Sequence, residues 1–131
     1  MTDRVALVLE DEGIIAMDVG DALAAKGFFV ATAVSNEAAR RWLADNPPPD
    51  VAVLDVTLTD GPSHKLATFL TELGVPLVVH SGRPGPVMPD DEAFAKAVWI
   101  NKPSYSDDIL AAVERAVSKD PGGPPPPNLR P

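Results

Sequence analysis

The stretch VALVLEDEG, residues 5–13, joins five apolar residues directly to three consecutive carboxylates. The apolar run is short and has no polar alternation, so it predicts a strand covered on both faces. Glu10, Asp11 and Glu12 repel one another, and on these residues alone a solvated loop is the favoured interpretation. The choice between a loop and a site depends on which side chains the rest of the chain brings to the end of this strand.

Short apolar runs alternate with amphipathic segments over residues 4–118. Five such runs predict strands: Val5–Leu9, Phe28–Val34, Val51–Leu54, Leu77–Val79 and Ala97–Ile100. Strands that alternate with helices indicate an α/β protein with a parallel sheet and right-handed crossovers. In such a sheet, ligands bind beyond the carboxyl ends of the strands.

The segments between the runs carry apolar residues at helical spacing. Four helices are predicted from these sets: Ile15, Val19 and Leu23, ended by Gly27; Ala39, Trp42 and Leu43, capped by Ser35 or Asn36; Leu66, Phe69, Leu70 and Leu73, ended by Gly74; and Ile109, Val113 and Val117, capped by Ser106. The remaining connection, residues 82–96, is rich in proline and glycine and has room for only a short helix around Asp90–Ala95.

Composition limits the classes of function. The chain has 131 residues, no cysteine and a net charge of −8, which argues against a primary nucleic-acid or anionic-membrane binder and excludes thiolate chemistry. It shows no signal peptide and no apolar run long enough to insert in a membrane, so we expect a cytoplasmic protein. We expect one domain over residues 1–119, with no attached output domain, and an extended or disordered Pro/Gly-rich tail over residues 120–131.

Polar side chains follow four of the five predicted strands. Strand one ends at Glu10-Asp11-Glu12, strand three at Asp55, strand four at His80-Ser81-Gly82 and strand five at Asn101-Lys102-Pro103. Each of these on its own is more often a turn or a solvated surface residue. If the four strands are neighbours, two or three acids, a hydroxyl and an ammonium group converge on one edge of the sheet.

That combination predicts phosphoryl chemistry. The carboxylates of Glu10, Asp11 and Asp55 would repel unless a cation lay among them, and oxygen ligands suit Mg²⁺. Asp55 ends the most continuous apolar strand and is the best-placed nucleophile. Lys102 and the metal would neutralise the incoming phosphoryl oxygens, and Ser81 could donate a hydrogen bond to one of them.

With VLEDE, VAVLDV, VVHSG and NKP in place, residues 4–118 resemble the receiver domain of bacterial two-component response regulators. The resemblance implies a flavodoxin-like, doubly wound sheet in the order 2-1-3-4-5. It also implies that Asp55 is phosphorylated from the phosphohistidine of a sensor histidine kinase or by a phosphotransfer protein. The chain would then switch the binding of a downstream protein partner or relay the phosphate.

The same resemblance assigns roles to individual residues. Asp11, Asp55 and the backbone carbonyl of Thr57 would bind Mg²⁺, with Glu10 acting through water. Ser81 would be the switch hydroxyl, and Lys102 the phosphate-contacting lysine before a cis peptide to Pro103. Trp99 stands where many receivers place an aromatic residue that changes rotamer on activation, although packing explains this indole equally well.

Two departures from the family pattern concern how the signal is read. The fourth helix looks degraded into RPGPVMPDDEAF, which suggests that the 82–96 loop is the signalling element. The chain also resembles stand-alone receivers with a Phe-Ala-Thr-Gly motif after strand four, but His80-Ser81-Gly82 replaces its last three residues. His64 is expected at the surface, Trp42 on a packed helix face, and His80 beside the site without a catalytic role.

Two other functions stay open. An aspartate-nucleophile Mg²⁺ phosphatase of the haloacid-dehalogenase type shares the Asp, Ser and Lys set, but it needs a second aspartate where this chain has Thr57. A receiver-like scaffold that binds partners without being phosphorylated would not need Asp11, Asp55, Ser81 and Lys102 together.

Overall fold

A computed structural model of the protein describes residues 4–82, 93–102, 104 and 106–118. The predicted tail 120–131, the peptide to Pro103 and most of the 82–96 loop lie outside the described residues. The first half of the short helix expected around Asp90–Ala95 also lies outside the described residues; of the second half, Ala93 and Phe94 lie in a 3₁₀ turn.

The described chain alternates strands and helices, as its sequence predicts. In chain order the elements are β1 (Val5–Leu9), α1 (Gly13–Ala25), β2 (Phe29–Ala33), α2 (Asn36–Asp45), β3 (Val51–Leu54), β4 (Thr57–Leu58), β5 (Gly61–Pro62), α3 (His64–Glu72), β6 (Leu77–Ser81), β7 (Val98–Asn101) and α4 (Ser106–Val117). None of these four helices has the length and apolar character needed to span a membrane.

Five strands form one parallel sheet in the order β2-β1-β3-β6-β7. In terms of the five predicted strands this is the order 2-1-3-4-5, so the expected doubly wound α/β fold is confirmed. The strand β6 runs two residues past its predicted end and includes His80 and Ser81. The two-residue strands β4 and β5 pair antiparallel as a small hairpin, which the sequence patterns do not predict.

The sheet is buried on both faces. Along β1, Leu7 and Leu9 pack in one apolar cluster with Leu66 and Leu70 of α3, whereas Ala6 and Val8 pack in another with α1 and α4. This alternation is what a strand between two helical layers requires, because successive side chains point to opposite faces. Truncating a fully buried leucine in such a core costs about 2–5 kcal/mol, so the strand ends rest on a rigid base.

The helix ends largely follow the predicted signals. Gly27 and Gly74 adopt positive φ angles of 92° and 81° after α1 and α3, a conformation that favours glycine. Ser35 caps α2, its hydroxyl oxygen accepting a hydrogen bond from the backbone N–H of Ala38 at 3.1 Å. Ser106 is the first residue of α4 rather than a residue preceding it, a shift of one position.

Candidate functional site

The functional side chains follow the carboxyl ends of three strands of the parallel sheet. Glu10 and Asp11 follow β1, Asp55 follows β3 and Lys102 follows β7. Backbone hydrogen bonds hold each position beyond its strand: Glu10 N–H donates to Ala33 O at 3.0 Å, Asp55 N–H to Leu9 O at 3.2 Å, and Lys102 N–H to Ser81 O at 2.7 Å. The fold therefore fixes the backbones of these residues before their side chains interact.

Lys102 connects the acidic residues. Its Nζ lies 2.8 Å from Asp55 Oδ2 and 2.8 Å from Glu10 Oε1. The three side chains are largely shielded from water, with exposed fractions of 15%, 17% and 4% for Lys102, Asp55 and Glu10. A pair with so little exposure is screened far less than a surface salt bridge, so its charges govern the local chemistry.

The pKa values of two members of this cluster move away from their ordinary range. Burial raises the pKa of Glu10, and the hydrogen bonds from Lys102 and from the Glu12 N–H only partly offset it. Burial alone would lower the pKa of Lys102, but the hydrogen bonds to Asp55 and Glu10 outweigh it and the pKa is raised. Lys102 is therefore a fixed positive charge at neutral pH.

Glu10, Asp11 and Asp55 also form a possible metal site. Each offers one carboxylate oxygen, and these oxygens lie within 4.8 Å of one another. The donors are all oxygen, Glu10 is buried, and Asp11 and Asp55 are half-buried. This donor set fits a hard divalent cation such as Mg²⁺, which combines one or two carboxylates with several waters.

Ser81 and His80 lie side by side at the end of β6, and both are buried. The ring Nε2 of His80 is 2.9 Å from Ser104 Oγ, which ties β6 to the segment after Lys102. Burial lowers the pKa of His80, and the charge of Lys102 lowers it further. His80 thus lies beside Lys102, and the lowered pKa favours its neutral form.

The remaining predicted residues are placed as follows. Thr57 lies in β4, two positions after Asp55, and its side chain is exposed. Trp99 lies in β7 and packs edge-on against the buried Phe94, with ring centroids 6.1 Å apart. Trp42 packs on the α2 face as expected, whereas the prediction that His64 lies at the surface is wrong, because it is half-buried at the start of α3.

The sequence patterns did not identify the segment that connects Asp55 to α3. Ser63 is fully buried, and its hydroxyl donates to the backbone carbonyl of Asp55 at 2.5 Å. Asp60, in the turn of the β4–β5 hairpin, accepts hydrogen bonds from the N–H groups of Asn36 and Glu37 at 2.9 and 3.1 Å. The adjacent residues Asp60 and Gly61 signal a turn, but nothing local signals these contacts.

A cavity of about 920 Å³ lies between α1 and α4 and reaches the site. Lys102, His80 and Ser104 line one part of it, and the helices contribute apolar side chains such as Val19 and Ile109. Lys102 therefore faces both the acidic cluster and this cavity.

Comparison with known proteins gives matches in structure only. No family model matches the sequence, and no curated protein matches it. A CheY-like response regulator receiver domain protein from Methanospirillum hungatei JF-1 superimposes with a TM-score of 0.78 at 19% identity, over 90% of this chain and 96% of that chain. The chemotaxis response regulator CheY4 of Vibrio cholerae gives 0.75 at 21% identity, over 88% and 99%.

The chain has the fold of a response regulator receiver domain. A third match is a response regulator protein from Burkholderia pseudomallei, which was solved with a phosphorylated aspartic acid, a calcium ion and citrate. Its TM-score is 0.73 at 23% identity, over 89% of this chain and 70% of that chain. Within this receiver fold, the acidic cluster and Lys102 occupy the carboxyl edge of the sheet, where ligands of open α/β sheets bind.

Proposed function

We propose that the protein is a response regulator receiver that accepts a phosphoryl group on Asp55. The observation that carries the proposal is the arrangement around that carboxylate. Lys102 lies 2.8 Å from one of its oxygens, and oxygens of Glu10, Asp11 and Asp55 itself lie within 4.8 Å of one another. Placed at the carboxyl edge of a receiver fold, this arrangement supports phosphoryl transfer better than a solvated acidic loop.

Mg²⁺ fits this donor set. We assign it to Asp11, Asp55 and the backbone carbonyl of Thr57, with Glu10 acting through water. When bound, the ion would neutralise oxygens of the transferring phosphoryl group and the acids that crowd around it.

The nucleophile is a carboxylate oxygen of Asp55. It attacks the phosphorus of a phosphohistidine while the P–N bond breaks, so that an acyl phosphate forms and the imidazole leaves with the electron pair of that bond. Lys102 Nζ lies 2.8 Å from Asp55 Oδ2, orients that carboxylate and stays within reach of the new phosphoryl oxygens. The donor belongs to a sensor histidine kinase or a phosphotransfer protein.

Ser81 and Lys102 would contact the phosphoryl group on Asp55 and change position in response to it. Ser81 stands at the end of β6, next to β3 in the sheet, and its backbone carbonyl accepts the Lys102 N–H. A hydrogen bond from the Ser81 hydroxyl to a phosphoryl oxygen would pull this strand end toward Asp55 and favour one of two conformations. We expect a downstream protein partner to read that change, or a second protein to take the phosphate, in the cytoplasm.

Incubation with acetyl phosphate and Mg²⁺, followed by intact mass measurement, tests the proposal. We expect the mass to increase by one phosphoryl group, and we expect Asp55→Asn to abolish this increase while Asp45→Asn, on α2, preserves it. Continuous release of phosphate over many turnovers would indicate the phosphatase instead. No labelling of a folded protein would indicate the unphosphorylated scaffold.

A further inference from the structure

Ser63 is a buried polar residue whose hydroxyl is not used by the helix that follows it. It stands at the N-cap position of α3, where serine ordinarily accepts a hydrogen bond from the first turn, yet its side chain makes no capping hydrogen bond. Its side chain is instead turned back toward the end of β3, and its residue exposure is 0%.

The two donor groups of Ser63, its hydroxyl and its backbone N–H, both point to the two residues that follow β3. Its hydroxyl lies 2.5 Å from the carbonyl oxygen of Asp55 and 3.1 Å from that of Val56. Its backbone N–H donates to the Val56 carbonyl at 2.8 Å. Ser63 therefore holds two consecutive peptide groups by hydrogen bonds. The first of these peptide groups directly follows the Cα atom that carries the Asp55 side chain.

These carbonyls need a partner because the sheet no longer supplies one. The register between β3 and β6 ends at Leu54 and Val79, one residue before Asp55. Beyond that point a buried carbonyl must be satisfied by a side chain or by water, and an unmet one is costly. The Ser63 hydroxyl donates to the Asp55 carbonyl, whereas Lys102 contacts the Asp55 carboxylate.

We propose that Ser63 is a positioning residue for phosphoryl transfer. By holding the peptide groups after Asp55 and Val56, it keeps the Asp55 carboxylate turned toward Asp11, Glu10 and Lys102, and it places Thr57 for its proposed metal contact. The inference rests on the proposed function. It adds a residue that does not touch the phosphoryl group and acts through the backbone of the nucleophile.

A matched pair of serines separates positioning from general stability. Ser63→Ala removes the hydroxyl behind Asp55, whereas Ser35→Ala removes the cap of α2, a hydrogen bond of 3.1 Å to the Ala38 N–H on another element. Each variant removes the hydroxyl of one serine together with its contacts to the backbone. Ser63→Thr keeps the hydroxyl and serves as the rescue variant.

We measure two quantities well below the melting temperature of each variant. They are the Mg²⁺ affinity, by calorimetry, and the rate constant for labelling by saturating acetyl phosphate. We expect Ser63→Ala to lower the rate constant about tenfold or more, as misplaced catalytic groups do, and to weaken Mg²⁺ binding. Ser35→Ala should change neither, and Ser63→Thr should recover most of the loss.

Three results overturn the inference. The first is a rate and an affinity in Ser63→Ala equal to those of Ser35→Ala. The second is the full loss in Ser63→Thr, which would assign the effect to packing. The third is a loss that follows the drop in melting temperature. A wild-type protein that neither binds Mg²⁺ nor becomes labelled contradicts the proposed function itself, so the two failures are distinguishable.

Discussion

Lys102 and Asp55 stand 47 positions apart in the chain, and Lys102 Nζ lies 2.8 Å from Asp55 Oδ2. The same ammonium group contacts Glu10 at 2.8 Å, while Asp11 completes the acidic cluster. One fixed cation thus serves three carboxylates within a poorly hydrated edge of the sheet. We expect this imbalance of charge to favour binding of a further cation and to make the stability of the protein sensitive to each of these charges.

Mg²⁺ should stabilise the folded protein through Asp11. A ligand that binds only the folded state adds about 2.7 kcal/mol at one hundred times its dissociation constant. We expect the melting temperature of the wild type to rise with Mg²⁺ concentration, and we expect Asp11→Asn to abolish this rise. Differential scanning fluorimetry across a Mg²⁺ series measures both.

The control for that experiment is the neighbouring acid. Glu12 is exposed, and only its backbone N–H reaches the cluster, donating to Glu10 Oε2 at 3.2 Å. Glu12→Gln keeps this N–H, so the Mg²⁺ response should match that of the wild type. If Asp11→Asn and Glu12→Gln lose the Mg²⁺-dependent rise in melting temperature equally, the rise depends on the net charge of the protein and not on a specific metal site.

Without divalent cations, Asp11→Asn should be more stable than the wild type. Neutralising one of three adjacent carboxylates relieves like-charge repulsion, on the order of 1 kcal/mol for half-buried groups. Urea unfolding in the presence of a chelator measures the difference in the free energy of unfolding. A less stable Asp11→Asn variant would show that the carboxylate forms favourable contacts in the metal-free protein, against this account.

Lys102→Ala should destabilise the protein and slow its phosphorylation. Removing the ammonium leaves Glu10 and Asp55 without their shared partner, and breaking a largely buried pair in this way costs about 3 kcal/mol. Urea unfolding gives the stability, and labelling by acetyl phosphate gives the rate. Lys65→Ala, on the exposed face of α3, is the matched control and should change neither. An unchanged labelling rate in folded Lys102→Ala would exclude a role for this lysine in the transfer.

The contact between Asp60 and α2 should depend on pH. Hydrogen bonds from the Asn36 and Glu37 N–H groups hold the pKa of Asp60 below its usual value of 3.8. Because the folded-state pKa is lowered, the contact stabilises the protein above pH 3.8, and this contribution is lost as pH falls through the folded-state pKa. Asp60→Ala should therefore be less stable at neutral pH, and its difference from the wild type should narrow under acidic conditions.

Urea unfolding of the wild type and of Asp60→Ala, from neutral pH down to the onset of acid unfolding, checks this dependence. The turn residue Thr59, which is exposed, offers a control, since Thr59→Ala removes no capping contact in the described structure. A difference between the wild type and Asp60→Ala that stays constant with pH would show that ionisation of Asp60 does not stabilise α2.

The parallel sheet follows from patterns of the sequence, and its strand order follows from the resemblance to receiver domains. Unbroken apolar runs such as Val51–Leu54 indicate strands buried on both faces, and the polar residues directly after them mark the edge where a site can form. The convergence of Glu10, Asp55 and Lys102 follows from the strand order alone, because parallel strands bring their carboxyl ends to one edge.

Contacts that depend on tertiary placement could not be predicted in this way. Ser63 is locally typical of a turn or cap residue, and its bond to the Asp55 carbonyl forms because the chain returns, after the β4–β5 hairpin, to the residues that follow β3. The half-buried position of His64 has a similar origin. Its polarity predicted an exposed side chain, but its tertiary placement at the start of α3 leaves it partly covered. The hypothesis that the 82–96 loop carries the signal concerns mostly residues outside the described part of the chain and stays a prediction.

The central claim is that Asp55 is the residue that becomes phosphorylated. Borohydride reduction converts an aspartyl phosphate to homoserine, so the labelled protein can be reduced, digested and sequenced by mass spectrometry. The account predicts homoserine at position 55 and at no other acid, only in samples that received both acetyl phosphate and Mg²⁺. Homoserine at position 11, 5-hydroxynorvaline (the corresponding reduction product of a glutamyl phosphate) at position 10, or a labelled protein with an intact Asp55, would contradict it.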